Sequence, residues 1–318
     1  FNEFVTDDVD ISEDPLNLFV ARIGSSVRQE VYRFFCENLI IDRDIKVKKK
    51  KVIPADEGCL SIQIINNMPE EKKISIYKRL IPEEIFKRFH IDPYSLTDDK
   101  GNKVIHFYTP PDRGFVRIEV KMAELCKDPL FLLKLDTTPF NYPELAFIIM
   151  NDPASPRFNI DIDEKGRDTR LGTISRNIKE EIKAMEAGLA PGQVRKGLGL
   201  LGRVIRLVEE FTDFMGRDIF YIQPLYYHNA IVYERYGFGY ETGRHIMEDI
   251  DRGFQKGGYL FERLDNSTPF RRKGMEETVR GRSWAIHDGI LGQPWISPRM
   301  FKRVGFHMGI CTFPFQRY

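Results

Sequence analysis

The sequence predicts an α/β (α+β) protein. A mixed, mostly antiparallel sheet flanked by helices is preceded by an N-terminal α+β extension and followed by a C-terminal elaboration. Three observations carry this reading. Residues 104–163 hold a succession of short apolar or alternating runs separated by proline and turn residues, the pattern of consecutive strands. Val194, Leu198, Leu201, Ile205 and Val208 recur at steps of four and three, which places them on one face of a long helix. Residues 218–242 then read as strand, short helix, strand.

Composition sets the outer limits. The chain has 318 residues, 42% hydrophobic and 30% charged, with a net charge of +1. That is long enough for a substantial core and for about two domains. The near-neutral balance advertises neither nucleic acid nor a membrane surface. No apolar run reaches the roughly 18 residues needed to cross a bilayer. The four cysteines, Cys36, Cys59, Cys126 and Cys311, are widely spaced and none has a histidine at zinc-ligand spacing. The expectation is reduced thiols, a cytoplasmic setting and no metal.

The elements follow in order. Residues 25–38 read as a helix. The basic run at 46–51 reads as an exposed edge strand blunted by lysines. Residues 59–65 alternate like a strand, and 82–89 look helical, with Glu83 and Glu84 in the first turn. A boundary is placed at 102/103, dividing an N-terminal α+β region (1–102) from the remainder (103–318). Strands are expected at 104–108, 114–122, 130–135, 145–150 and 157–163. In the last of these, Phe158, Ile160 and Ile162 face away from Asn159, Asp161 and Asp163. Residues 172–188 form a helix through Ile174, Ile178, Ile182 and Met185. The long helix ends near 214–216, a buried strand spans 218–225, and a helix over 229–236 stops at Gly237. A strand near 238–242 follows, and the final strand is placed at 308–313. Basic residues interleaved with aromatics beyond residue 253 are the kind that can bind nucleic acid. The intervening acids argue instead for packing on the sheet or lining a pocket.

The most informative stretch is Gly197-Leu198-Gly199-Leu200-Leu201-Gly202. Glycines here would let backbone N–H groups approach an anion at a helix N-terminus. As G-x-G-x-x-G it fits a dinucleotide fingerprint, but two requirements of that fold fail. The residues before the glycines, Ala190 to Lys196, are polar and contain proline, so no strand leads in. The next strand ends in Gln223-Pro224-Leu225, without the acid that would hold a ribose. A P-loop fails as well, because no Lys-Ser/Thr follows the glycines.

Pro191-Gly192-Gln193-Val194-Arg195-Lys196-Gly197-Leu198-Gly199-Leu200-Leu201 resembles P-x-x-R-x-x-G-x-G-x-x-L. Tyr233-Glu234-Arg235-Tyr236-Gly237-Phe238, one strand and one helix later, resembles the second half of A-x-x-x-Y-x-x-x-G-F. In this order the two motifs resemble those of the GNAT N-acetyltransferase superfamily, over about residues 104–245. Three departures stand out. Val194 occupies a position where the family has Gln or Arg. Asn229 stands where alanine is expected, with Ala230 one later. A long segment also separates residue 163, the end of the strand taken as the family's fourth, from Pro191; residues 171–177 are the rival for that strand.

The resemblance implies a GNAT-like fold and an N-acyltransferase, using acetyl-CoA or another acyl-CoA as co-substrate and a small-molecule or peptide amine as acceptor. It implies that Gln193, Val194, Arg195, Lys196, Gly197, Leu198, Gly199 and Leu200 cradle the diphosphate. Arg195 and Lys196 would add charge, and Asn229 would touch the cofactor or cap its helix. Tyr233 would be the general acid for the departing thiolate. Asp161, Asp163, Glu241, His228 and His245 remain open as bases. A non-catalytic acyl-CoA-binding module and a nucleotide-binding oxidoreductase are the alternatives from other classes.

Overall fold

The computed structural model describes residues 60–122 and 127–314, all within one compact unit, Ala55–Tyr318. The helix expected at 25–38, the strand at 46–51 and three of the cysteines lie outside the described residues.

Three short helices come first: α1 (Ile62–Asn66), α2 (Glu70–Tyr77) and α3 (Glu83–Arg88), with a 3-10 turn, Lys78–Leu80, after α2. The strand expected at 59–65 is corrected to helix α1. Ser61 Oγ accepts the Ile64 N–H at 3.1 Å, an N-cap, and Ile62, Ile65 and Asn66 share the buried face. So short an alternating run fits either period, and the cap decides. Glu70, Glu71, Glu83 and Glu84 occupy the first turns of α2 and α3, where acids complement the helix dipole. The buried Asn66 amide donates to the carbonyls of Pro110, Arg113 and Phe115, and its oxygen accepts the Tyr77 hydroxyl at 2.6 Å. One side chain thereby joins α1, α2 and the turn between the first two strands. Residues on both sides of 102/103 share one hydrophobic cluster, in which Ile62, Tyr77 and Leu80 join Ile118 and Leu133.

The sheet is mixed and mostly antiparallel. Its seven strands are β1 (Ile105–Tyr108), β2 (Val116–Val120), β3 (Phe131–Thr137), β4 (Pro143–Met150), β5 (Ile219–Ile222), β6 (Gly239–Thr242) and β7 (Arg299–Arg303), in the order β1-β2-β3-β4-β5-β7-β6. Only β4 and β5 run parallel. Register aligns the apolar positions into a buried row, Val116–Leu135–Leu145–Ile222–Met300. Helix α5 (Leu201–Phe214) adds Val204, Ile205, Val208 and Phe211 to that core.

Other expectations are corrected. Residues 157–163 form no strand; they are irregular, with a single bridge at Ile162 and Asp168. Their polar side chains bond locally instead: Asp163 accepts the N–H groups of Lys165 and Arg167, and Arg157 pairs with Asp128 and Asp161. Residues 171–177 form no strand either. The strand parallel to β5 is β4. The last strand is β7, not 308–313; Lys302 on its buried face hides the alternation, its stem covered and its ammonium reaching Glu209 at 3.3 Å. Helix α4 (Ile178–Glu186) is shorter than expected and turns a different face inward. Ile174 and Ile178 are exposed, while Glu181 and Ala184 are buried. Helix α5 begins at Leu201 rather than 194, because Gly199 has φ +75°, outside helical space.

Helix α6 (Tyr227–Arg235) links β5 to β6. Helices α7 (Arg244–Phe254), α8 (Tyr259–Glu262) and α9 (Val279–His287) fill the connection between β6 and β7. The segment between β4 and α5 packs on this connection through a second cluster, Ile160, Ala184, Leu189, Phe270 and Trp284, and Trp284 Nε1 donates to Leu189 O at 2.8 Å. Among the described residues no helix is long and apolar enough to cross a membrane.

Candidate ligand cleft

Strand β4 meets β5 at only two positions, Glu144 with Tyr221 and Leu145 with Ile222. The next residue is where β4 bends. Leu145 lies opposite Leu135 and Phe147 opposite Lys134, which leaves Ala146 as an extra residue in the ladder. A β-bulge of this kind kinks its strand and increases the local twist. β5 ends at Ile222, so beyond the bulge β4 runs on to Met150 with no partner on that side, and a wedge opens between it and the turn that leads from β5 into the next helix. The cavity there has a volume of about 920 Å³. One wall is β4 from Leu145 to Asn151. The other is the end of β5 (Ile222 to Leu225) and the helix α6 side chains His228, Asn229, Val232, Tyr233 and Tyr236.

The glycine run closes the wide end. Gly197 bridges Asn151, and the Asp152 N–H donates to Lys196 O at 2.8 Å, so the loop is fastened to the end of β4. Gly199 is exposed, and its φ of +75° turns the chain into α5. Among the described residues, the N–H groups of Gly199, Leu200, Leu201, Gly202 and Arg203 have no protein acceptor, and the N-cap residue Leu200 supplies none. They lie at the positive end of a helix of 14 residues, an arrangement that favours an anion.

The site residues expected from sequence sort themselves. Gln193, Val194, Arg195, Lys196, Gly197, Gly199, Asn229 and Tyr233 line the cleft. Leu198 and Leu200 do not; their side chains pack on the main core. Gln193 Oε1 accepts the Ala190 N–H at 2.7 Å and so stabilises its own turn. Val194 packs against the second cluster, an apolar environment where Gln or Arg would be misplaced. Arg195 does not present its guanidinium to the loop: Nε donates to Asp128 at 2.9 Å and Nη1 to Ser155 O at 2.6 Å. Burial pushes the Asp128 carboxyl up, but the guanidinium groups of Arg157 and Arg195 outweigh it and hold the group below the ordinary carboxylate value. Lys196 is exposed.

Tyr233 is 5% exposed and its ring lies 5.2 Å from that of Phe238. Burial raises its phenol above the ordinary tyrosine value, so it keeps its proton at neutral pH. His228 is buried between Ser283 Oγ (2.9 Å from Nδ1) and Asn229 Nδ2 (3.1 Å from Nε2). Burial, then the charges of Arg280 and His287, lower it to about 3, so it is neutral. With the Asn229 amide donating, Nε2 is the acceptor and Nδ1–H donates to Ser283. The Asn229 oxygen accepts the Tyr226 N–H at 3.2 Å and caps α6.

The remaining base candidates lie away from the cleft walls. Asp161 is paired with Arg157 and Lys127, Asp163 with Arg167 and Glu241 with Arg299, and His245 is exposed. Sequence reasoning missed the free edge of β4 as a wall, and also Tyr226 and Arg280. One available signal was Gly192: a Cβ there would fall 2.4 Å from the Tyr226 ring. Among the described residues no group of His, Cys, Asp and Glu side chains could hold a metal. Comparison with protein-family models, curated proteins and solved structures finds no match to this chain.

Proposed function

We propose that the protein is an acyl-CoA-dependent N-acyltransferase of GNAT type, transferring acetyl from acetyl-CoA to an amine. The observation that carries this reading is the wedge between β4 and the turn after β5, with unpaired α5 amides at its wide end and Tyr233 on its wall. A pantetheine arm is peptide-like, and its amides can pair with the free edge of β4 as a strand would. The diphosphate then falls on the amides from Gly199 to Arg203, with Lys196 adding charge. The amine nitrogen attacks the thioester carbon, the C–S bond breaks, and the amine proton leaves to solvent. The Tyr233 hydroxyl gives its proton to the sulfur as negative charge develops there and takes one back from solvent, which closes the cycle. The strand order and the two sequence motifs support the same assignment.

Calorimetry with acetyl-CoA, longer acyl-CoAs and NADH, followed by thiol release over a panel of amines, tests it. Acetyl-CoA is expected to bind and to turn over with at least one amine. Binding without turnover across the panel would leave a non-catalytic acyl-CoA module, and NADH binding without CoA binding would restore the dinucleotide reading. Replacing Tyr233 by Phe is expected to lower kcat about tenfold or more; unchanged turnover would remove its role as acid.

A further inference from the structure

Helix α6 faces the cleft on one side, and its other side is held by the last part of the chain. Glu234, the residue after Tyr233, is 2% exposed. Its carboxylate accepts the Thr312 N–H at 2.9 Å, the Thr312 hydroxyl at 2.6 Å and the Tyr240 hydroxyl from β6. Two further bonds fasten the same segment to the end of α6. The Met308 N–H donates to Gly237 O at 3.2 Å, and His307 Nε2 donates to Arg235 O, also at 3.2 Å. Behind α6 on this side is a second cavity of about 400 Å³, bounded by Ile231, Glu234, Arg235, His307, Ile310 and Phe313.

Tyr227, Ala230, Ile231 and Tyr233 pack α6 into the main core, but a half-open cavity and the cleft leave two of its sides without close packing, and there hydrogen bonds do the holding. Three hydrogen bonds from two separate parts of the chain converge on this carboxyl; burial raises it above the ordinary carboxylate value, and the Thr312 and Tyr240 donors oppose that shift. Tyr233 and Glu234 are consecutive, so their side chains leave the helix about 100° apart. Fixing one fixes the direction of the other.

We propose that Glu234, through Thr312 and Tyr240, is a positioning residue that sets the rotation of α6 and thereby presents the Tyr233 hydroxyl to the cleft. The proposal rests on the acyltransferase reading. It gives the C-terminal segment a part in the chemistry although that segment does not line the cleft.

The test is a double-mutant cycle in steady-state acetyl transfer from acetyl-CoA. Thr312→Val, which leaves the main-chain donor in place, is expected to lower kcat about fivefold with KM for acetyl-CoA within about twofold, because misplacing a catalytic group lowers turnover without touching the phosphate site. Glu234→Gln, which keeps the volume and turns one acceptor oxygen into a donor, is expected to show the same split with a larger fall in kcat. In a Tyr233→Phe background neither substitution is expected to lower kcat further, since no phenol remains to be placed. Equal losses in both backgrounds, or losses expressed in KM, would overturn the proposal and leave Glu234 a purely structural contact. If Glu234→Gln fails to fold, Thr312→Val carries the test. A wild-type protein without acyl transfer would overturn the reading beneath, and the proposal with it. A turning-over wild type with additive variants would overturn the positioning role alone.

Discussion

The sheet and the second cluster are built on different principles. Across the sheet, apolar side chains meet in register, and the row from Val116 to Met300 buries little that needs a polar partner. In the region between β4 and α5 and its docking site on α9, small apolar contacts are stitched together by ions. Arg176 pairs with the buried Glu181 at 2.5 Å and with Asp288 at 2.9 Å, His287 meets Glu181 at 3.1 Å, and Arg271 reaches Asp288 at 2.9 Å. Asp128 gathers Arg157 and Arg195 in the same way. Burial of apolar area scales with how much is covered and tolerates small errors of angle. A buried ion is stabilising only while each partner stays in place. The first kind of region gives a robust frame, and the second gives a wall that holds a loop at a defined position.

This contrast can be broken at several points. The largest effect is expected in the frame. Leu133→Ala should cost about 3 kcal/mol, because it deletes a fully buried side chain from the middle of β3; urea unfolding should show the loss as one cooperative transition. The junction between the regions is next. His228 bonds Ser283 of α9 and Asn229 of α6, and it stays neutral down to about pH 3. The unfolded chain takes up that proton near pH 6.5, so stability is lost as pH falls below 6.5 and the loss saturates near 3. At pH 5 it should amount to about 2 kcal/mol. Replacing His228 by Gln should flatten that part of the stability-pH curve.

A smaller effect is expected in the ion-stitched wall. Asp128→Asn leaves Arg157 and Arg195 with a neutral partner and should cost about 1 kcal/mol. Because Arg195 fastens the glycine loop, the affinity for acetyl-CoA should weaken about fivefold while kcat stays near wild type. Loss of kcat with unchanged affinity would show that the wall does not set the loop. Asp128 also titrates below the usual carboxylate value, so its contribution is present above about pH 4 and fades as acid protonates it. Gly199→Ala should cost a similar amount, about 1 kcal/mol from the left-handed φ alone, since a Cβ there meets nothing within 4 Å. A larger loss of stability would mean that the loop is packed more tightly than its exposure indicates.

The same contrast explains what was legible in the chain. β1 to β3, β5 and α5 were readable because one period runs through each and one face is apolar, while α6 and β6 were legible from the motif around Tyr233 and Gly237. The glycine run and Tyr233 were legible as motifs, and the structure brings both to one cleft. Residues 157–163 misled because alternating polar side chains, Arg157, Asp161 and Asp163, bond to one another and to neighbouring backbone rather than to solvent across a sheet. Helix α4 misled for the complementary reason: a buried Glu181 is acceptable only with Arg176 and His287, which are brought to it by folding. Arg195 looked like a phosphate ligand because the partner that occupies it, Asp128, is distant in sequence. A charged network is invisible to periodicity, which counts apolar positions and not pairings.

Ala146 adds one consequence. It is the only residue from Glu144 to Met150 that the ladder with β3 leaves unmatched. Deleting it would leave each existing partnership with β3 in step and take away only the kink. β5 ends at Ile222, so a straightened β4 would gain no new partner on its free edge, but that edge would point elsewhere. A single codon would therefore re-aim one wall of the cleft and leave the frame behind it unchanged.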